Sequence, residues 1–308
     1  MRKNAAIAIS LVAILAVAGV AAVIVLTNDS DDKKYVYTTM SWQQEMVQEI
    51  VGDEYTVVSF LEANTSPHAT EITPGIIASR NTVAYFAVGS GVEWEETNLE
   101  IIRDQQGITT FECCEELIEL GVMDPLLEGE EHEGSEEGHD HATDPHVWAS
   151  PERLALIAEY VKDMMTELEP DNAAVFEAGC ASYRAKVDVL IGLEQEYLTG
   201  KATTEIIVWH PSWAYLLPDN VTEAELMEAA EAASTPSSIA MLQGGTPENP
   251  INVFLSEPEE INGLTQQGLC EMGIYVNIIV INILAGDWVE YLGQVIEILG
   301  DNIPDAGT

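Results

Sequence analysis

The sequence predicts an α/β protein of two lobes with parallel-rich central sheets, joined by a long rigid helix and preceded by an N-terminal transmembrane anchor. Three observations carry this reading. Near-continuous apolar runs such as TVAYFAVG (82–89) alternate with amphipathic helical stretches, the pattern of parallel strands covered on both faces. From Asp171 to Gly200, Phe176, Cys180, Tyr183, Val187 and Leu190 step by four and three, predicting a helix of about 29 residues and over 40 Å. Ala5 to Leu26 contains no charge and at about 1.5 Å per residue spans the hydrocarbon core of a bilayer.

In order along the chain, residues 1–34 form the anchor and its linker. Arg2 and Lys3 precede the apolar run and Asp29, Asp31 and Asp32 follow it, so the positive-inside rule places everything beyond about residue 30 outside the cell. The expected location is the cell membrane, with a single-pass anchor and an extracytoplasmic domain; secretion after signal cleavage is the alternative. No cysteine lies near the end of the run, so the tether would be the helix itself. Residues 35–170 form the first lobe. KYVYTTM (34–40), WQQEMVQEIVG (42–52) and TVVSFL (56–61) read as strand, helix and strand, followed by a short helix from Pro74 to Arg80 and the strand 82–89. Residues 128–143 (EGEEHEGSEEGHDHAT) have no apolar periodicity and read as a solvated acidic loop. Ser150-Pro151 is an N-cap with proline at the first helical position, and the helix it opens runs to Pro170. The joining helix occupies 171–200. In the second lobe, 201–308, TEIIVWH (204–210), INVFLSE (251–257) and YVNIIVI (275–281) read as buried strands.

Eleven Lys and Arg stand against 53 Asp and Glu, a net charge of −42 that excludes nucleic acid as a partner. Such a surface suits high salt or the concentration of cations, and composition does not separate the two. The cysteines, Cys113, Cys114, Cys180 and Cys270, allow three full pairings, lack Cys-x-x-Cys spacing, and read as buried or structural.

All six histidines lie in polar or loop-end settings. His146, in DPHVW, precedes a capped helix, and Asp144 is placed to orient its ring. His68, in SPHATEITP, and His210, ending IIVWH, lie at the carboxyl ends of expected parallel strands, where α/β sheets put their ligand crevices. Three imidazoles from three segments make most of a tetrahedral site for zinc or another divalent transition metal. Three unrelated histidines are the competing reading. His132, His139 and His141 lie on the acidic loop and could collect cations in an auxiliary role.

At SPHATEITP (66–74), DPHVWASPERLALIAEYV (144–161), VWHPSWAYL (208–216) and FLSEP (254–258), over roughly residues 35–303, the chain resembles the metal-specific solute-binding proteins of ABC transporters, the zinc- and manganese-uptake receptors. The resemblance implies two α/β lobes bridged by a rigid helix, with metal in the cleft, and delivery of the ion to a transporter permease. It also implies a fourth ligand, usually a carboxylate, but the matching position is Asn282; Asp287, Glu71 or a water are the other choices, and Glu257 reads as structural. The stretch from Leu217 to Pro250 departs from the family pattern. The acidic histidine-bearing loop is a feature of zinc members, so Zn²⁺ is the expected ion, with Mn²⁺ as the alternative. A metal-stabilised surface protein or adhesin is a further reading. Without HExxH or GxSxG the chain is not expected to be an enzyme, a zinc hydrolase being the remaining catalytic option.

Overall fold

The computed structural model describes residues 33–62, 81–104, 108–129, 143–208, 210–225, 242, 245–248, 250–255, 274–280 and 287–307. Its first sheet contains β1 (Lys34–Thr38), β2 (Tyr55–Ser59), β3 (Thr82–Ala87) and β4 (Thr109–Glu112), ordered β2-β1-β3-β4 and wholly parallel. The second contains β5 (Thr204–Val208), β6 (Val221–Glu225), β7 (Ile251–Leu255) and β8 (Val276–Val280), ordered β6-β5-β7-β8 and again parallel. Each lobe therefore reverses strand order once, between β1 and β3 and between β5 and β7. The carboxyl ends of those pairs are where such sheets open a crevice.

Parallel strands need crossovers, and helices supply two of them in the first lobe, α1 (Ser41–Val51) from β1 to β2 and α2 (Glu93–Arg103) from β3 to β4, while α3 (Cys113–Glu119) follows β4. Val36, Ala84, Tyr85 and Phe86 of the sheet are fully buried, as are Met46, Val47 and Ile50 of α1. At the crevice end, the buried Glu95 of α2 accepts the amides of Val88 at 2.6 Å and Gly89 at 2.9 Å and the Thr39 hydroxyl. Burial pushes the Glu95 carboxyl above its ordinary range, and those three hydrogen bonds oppose the rise. One carboxylate thus ties the ends of β1 and β3 to α2.

The capped helix α4 (Pro151–Leu168) begins where the sequence signals it, with Ser150 Oγ accepting the Arg153 amide at 3.3 Å. The joining helix is shorter than its periodicity suggests. Pro170–Asn172 winds as a 3₁₀ turn, and α5 runs Ala173–Tyr197, 25 residues or about 37 Å. It packs on α1 and α4 of the first lobe and on α6 (Trp288–Asn302) of the second. Its crossing with α1 is close, for a Cβ on Gly179 would lie 2.3 Å from the Glu49 carbonyl oxygen and 2.7 Å from Ile50 Cα. Ser182 and Lys186, about one and two turns further along α5, donate to the Glu49 carboxylate, both at 2.7 Å.

The lobes also meet at the start of α6. Asp287, in the left-handed region at φ 44°, caps the helix by accepting the Glu290 amide. The Glu45 carboxylate of α1 accepts the backbone amides of Asp287 at 2.7 Å and Trp288 at 2.8 Å. The Trp288 indole donates to the Trp148 carbonyl at 2.9 Å. A negative side chain on a helix N-terminus is favourable, so the latch is stabilised by the helix dipole as well as by hydrogen bonds.

Among the described residues no helix is long and apolar enough to cross a membrane. The expected anchor, in residues 1–32, and the expected helix from Pro74 to Arg80 lie outside them. Cys113, Cys114 and Cys180 are buried free thiols, with burial raising Cys114 to about 12 and Cys180 to about 11; Cys270 lies outside the described residues.

Where α5 runs back along α4, burial and the charge of Glu152 raise Glu194 to about 7. Folding then favours its protonated form, a contribution present below about 4.5, the ordinary value, and lost as pH rises towards 7. Glu194→Gln should leave urea stability at pH 4 unchanged and raise it at pH 8 by about 1–2 kcal/mol, after discounting for solvent screening. Equal gains at both pH values would refute the assignment.

Candidate metal centre

His146 is set by its own chain neighbours. Asp144 Oδ1 accepts both the His146 amide at 2.9 Å and its ring Nδ1 at 2.7 Å, a local turn that fixes the backbone and ring together. The following 3₁₀ turn, Val147–Ala149, is buried, and the Trp148 ring meets the imidazole edge-on at 5.2 Å. Burial alone would raise Asp144, but the hydrogen bond and charge of His146 outweigh it and hold the carboxyl below its ordinary range.

His210 follows β5 by two residues and is set by β6. Strand alternation puts Glu223 and Glu225 on one face of β6. Glu223 accepts the amides of Ser212 and Trp213, each at 3.1 Å, which shapes the turn after His210. Glu225, paired in register with Val208 and nearly fully buried, lies 3.3 Å from His210 Nδ1.

The two rings meet where the lobes meet, with centroids 5.2 Å apart and planes inclined at 64°. Each Nδ1 faces a carboxylate and each Nε2 is buried. A carboxylate on one ring nitrogen fixes the tautomer and makes the other a better metal ligand. The separation suits a shared ion. With zinc–nitrogen bonds of about 2.05 Å, a ring radius of about 1.2 Å and a tetrahedral angle, two imidazole centroids lie about 5.3 Å apart.

The other expected ligands are placed differently. Asp287 is exposed, and its carboxylate caps α6. His68, Glu71, Asn282 and the loop residues His132, His139 and His141 lie outside the described residues. Among the described residues no group of three or more His, Cys, Asp or Glu side chains is arranged to hold a metal. Sequence reasoning missed Glu223 and Glu225, whose signal was the alternation in VTEAE that makes a strand with two acids on one face. It also missed Tyr215, whose hydroxyl donates to the Asp144 carbonyl at 2.8 Å.

Two parallel α/β lobes, joined by a helix and bringing one histidine each to their junction, define the class of helix-linked solute-binding proteins. Within it, the chain belongs to the family described as zinc-uptake complex component A, periplasmic (ZnuA), whose family model matches residues 36–299. It is 29% identical over 198 residues to the zinc-binding lipoprotein AdcA of Streptococcus pneumoniae, a match covering 62% of this chain and 38% of that protein. The matched stretch is thus well under half the length of this relative. It is 26% identical over 244 residues to the high-affinity zinc uptake system protein ZnuA of Bacillus subtilis, covering 75% and 72% of the two chains. The crystal structure of a ZnuA superposes with a TM-score of 0.64 at 22% identity, covering 88% of this chain and 99% of that one, which establishes the shared fold.

Proposed function

We propose that the chain is an extracytoplasmic receptor that captures a divalent metal ion, with zinc as its cargo, and delivers it to the permease of an ABC-type importer. The observation that carries this reading is the pair of imidazoles, one from each lobe, at the separation two ligands of one tetrahedral ion would have. His146 and His210 are the proposed ligands, with His68 the third and the fourth position open among Asn282, Glu71, Asp287 and water. Asp287 is the weakest of these because its carboxylate is engaged in capping. The zinc proteins among its relatives support zinc over manganese, and so does a nitrogen-rich ligand set. The role is binding rather than catalysis, as in the family's receptors. The uncharged run from Ala5 to Leu26 is proposed as the membrane anchor that keeps the receptor at the outer face.

Calorimetric titration of the domain freed of residues 1–32 should show one tight site that prefers zinc to manganese. A variant lacking residues 128–141 should keep that site and lose only weak, additional zinc binding. Disappearance of the tight site from this variant would move the receptor function from the cleft to the acidic loop.

A further inference from the structure

Tyr215 stands five residues after His210 in the second lobe, but its hydroxyl works in the first. It donates to the Asp144 carbonyl at 2.8 Å and accepts the Leu127 amide at 2.9 Å. Leu127 and Asp144 are themselves joined, the Asp144 amide donating to the Leu127 carbonyl at 2.9 Å. They flank the acidic histidine-bearing segment, so one phenol closes both sides of its neck. The Tyr215 ring is held from the other side by Arg153, whose guanidinium carbon lies 4.5 Å from the ring centroid. Arg153 donates in turn to the carbonyls of Asp124 at 3.2 Å and Pro125 at 3.0 Å. Burial raises the Tyr215 hydroxyl well above its ordinary value, so it stays a neutral donor and acceptor at physiological pH.

Asp144 is the residue whose carboxylate orients His146. A displacement at the Asp144 backbone therefore reaches the imidazole through a short, fixed path. We propose that Tyr215 is a positioning residue for metal capture: it joins the segment carrying His210 to the segment carrying Asp144 and His146, and couples both to the neck of the acidic segment. The proposal rests on the metal-receptor reading above, and adds that this hydroxyl, alongside the Trp288–Trp148 bond, sets the spacing of the two imidazoles across the lobes. Because coupling between two sites is reciprocal, an ion bound between the imidazoles must also tighten the neck.

The test uses zinc and cobalt(II) as probes of the parent chain and of Tyr215→Phe, which removes both hydrogen bonds but keeps the ring against Arg153. The parent is titrated first, and failure of the parent to bind zinc would defeat the receptor reading and this proposal with it, whereas the comparison with the variant tests this proposal alone. With a binding parent, the variant should bind zinc about tenfold more weakly, mainly through faster dissociation, with a changed visible spectrum of the cobalt-loaded site. An unchanged affinity and cobalt spectrum would overturn the proposal, even if the thermal midpoint fell, since that combination describes a purely structural tyrosine. Should the variant not fold, hydrogen exchange at the Leu127 amide of the parent decides. Slower exchange on zinc loading supports the coupling, and exchange indifferent to zinc overturns it.

Discussion

His146→Ala is expected to weaken zinc binding at least about 100-fold, because loss of even an outer-shell partner of a metal ligand costs 10- to 100-fold. The expectation rests on the ring's fixed placement. Asp144 holds Nδ1 at 2.7 Å, Trp148 borders the ring, and the His210 ring lies 5.2 Å away from the opposite lobe. Alanine also leaves the largely buried Asp144 carboxylate without its ring partner, a loss of about 1–3 kcal/mol in stability. Thermal unfolding of the metal-free variant must therefore accompany the titration. Glu225→Gln provides a graded comparison: it keeps an acceptor beside His210 Nδ1 but loses the charge, and should weaken zinc by about tenfold. A folded His146→Ala protein with parental zinc affinity would remove His146 from the site.

Gly179→Ala is expected to destabilise the protein by about 3 kcal/mol, at the upper end of what overpacking costs. The sign is informative. Alanine in an exposed helix interior is about 1 kcal/mol better than glycine, so helix propensity alone predicts a gain. At Gly179 the added methyl would sit 2.3 Å from a carbonyl oxygen of α1, which is backbone and cannot rotate away. Gly192, on the same helix, has nothing within 4 Å of its would-be Cβ and should show the gain that propensity predicts. Urea unfolding of the two variants separates packing from propensity within one helix. Stabilisation by both would mean that α1 and α5 do not cross as closely as described.

The first lobe was largely legible because its signals are local. The strands 34–38, 55–59 and 82–87 are apolar and bounded by turns, and α4 carries its own cap and proline. The strand β4, only four residues long, and the helix α3 that follows without a break gave no separate signal. In the second lobe β6 reads VTEAE, an edge strand whose acids serve His210 rather than a hydrophobic core, so the apolar pattern that marks strands was absent. The amphipathic helix α6 did carry a legible period, with Leu292, Val295, Ile296 and Leu299 buried, but no separate helix was assigned there. Asp144 could be assigned to His146 because they are two residues apart. Glu225 and Tyr215 could not be assigned to the site, since each reaches it only through strand register or the meeting of lobes, which are non-local facts.

The latch at the start of α6 has a kinetic consequence. Glu45 holds two α6 amides and the Trp288 indole holds the carbonyl of Trp148, two residues beyond His146. Swinging the lobes apart would break all three bonds beside the proposed ligand, so wide opening costs more than small lobe adjustments. A receptor that trades its ion with this latch closed would show exchange paced by incoming nitrogen, oxygen or sulfur donors and largely indifferent to solvent viscosity.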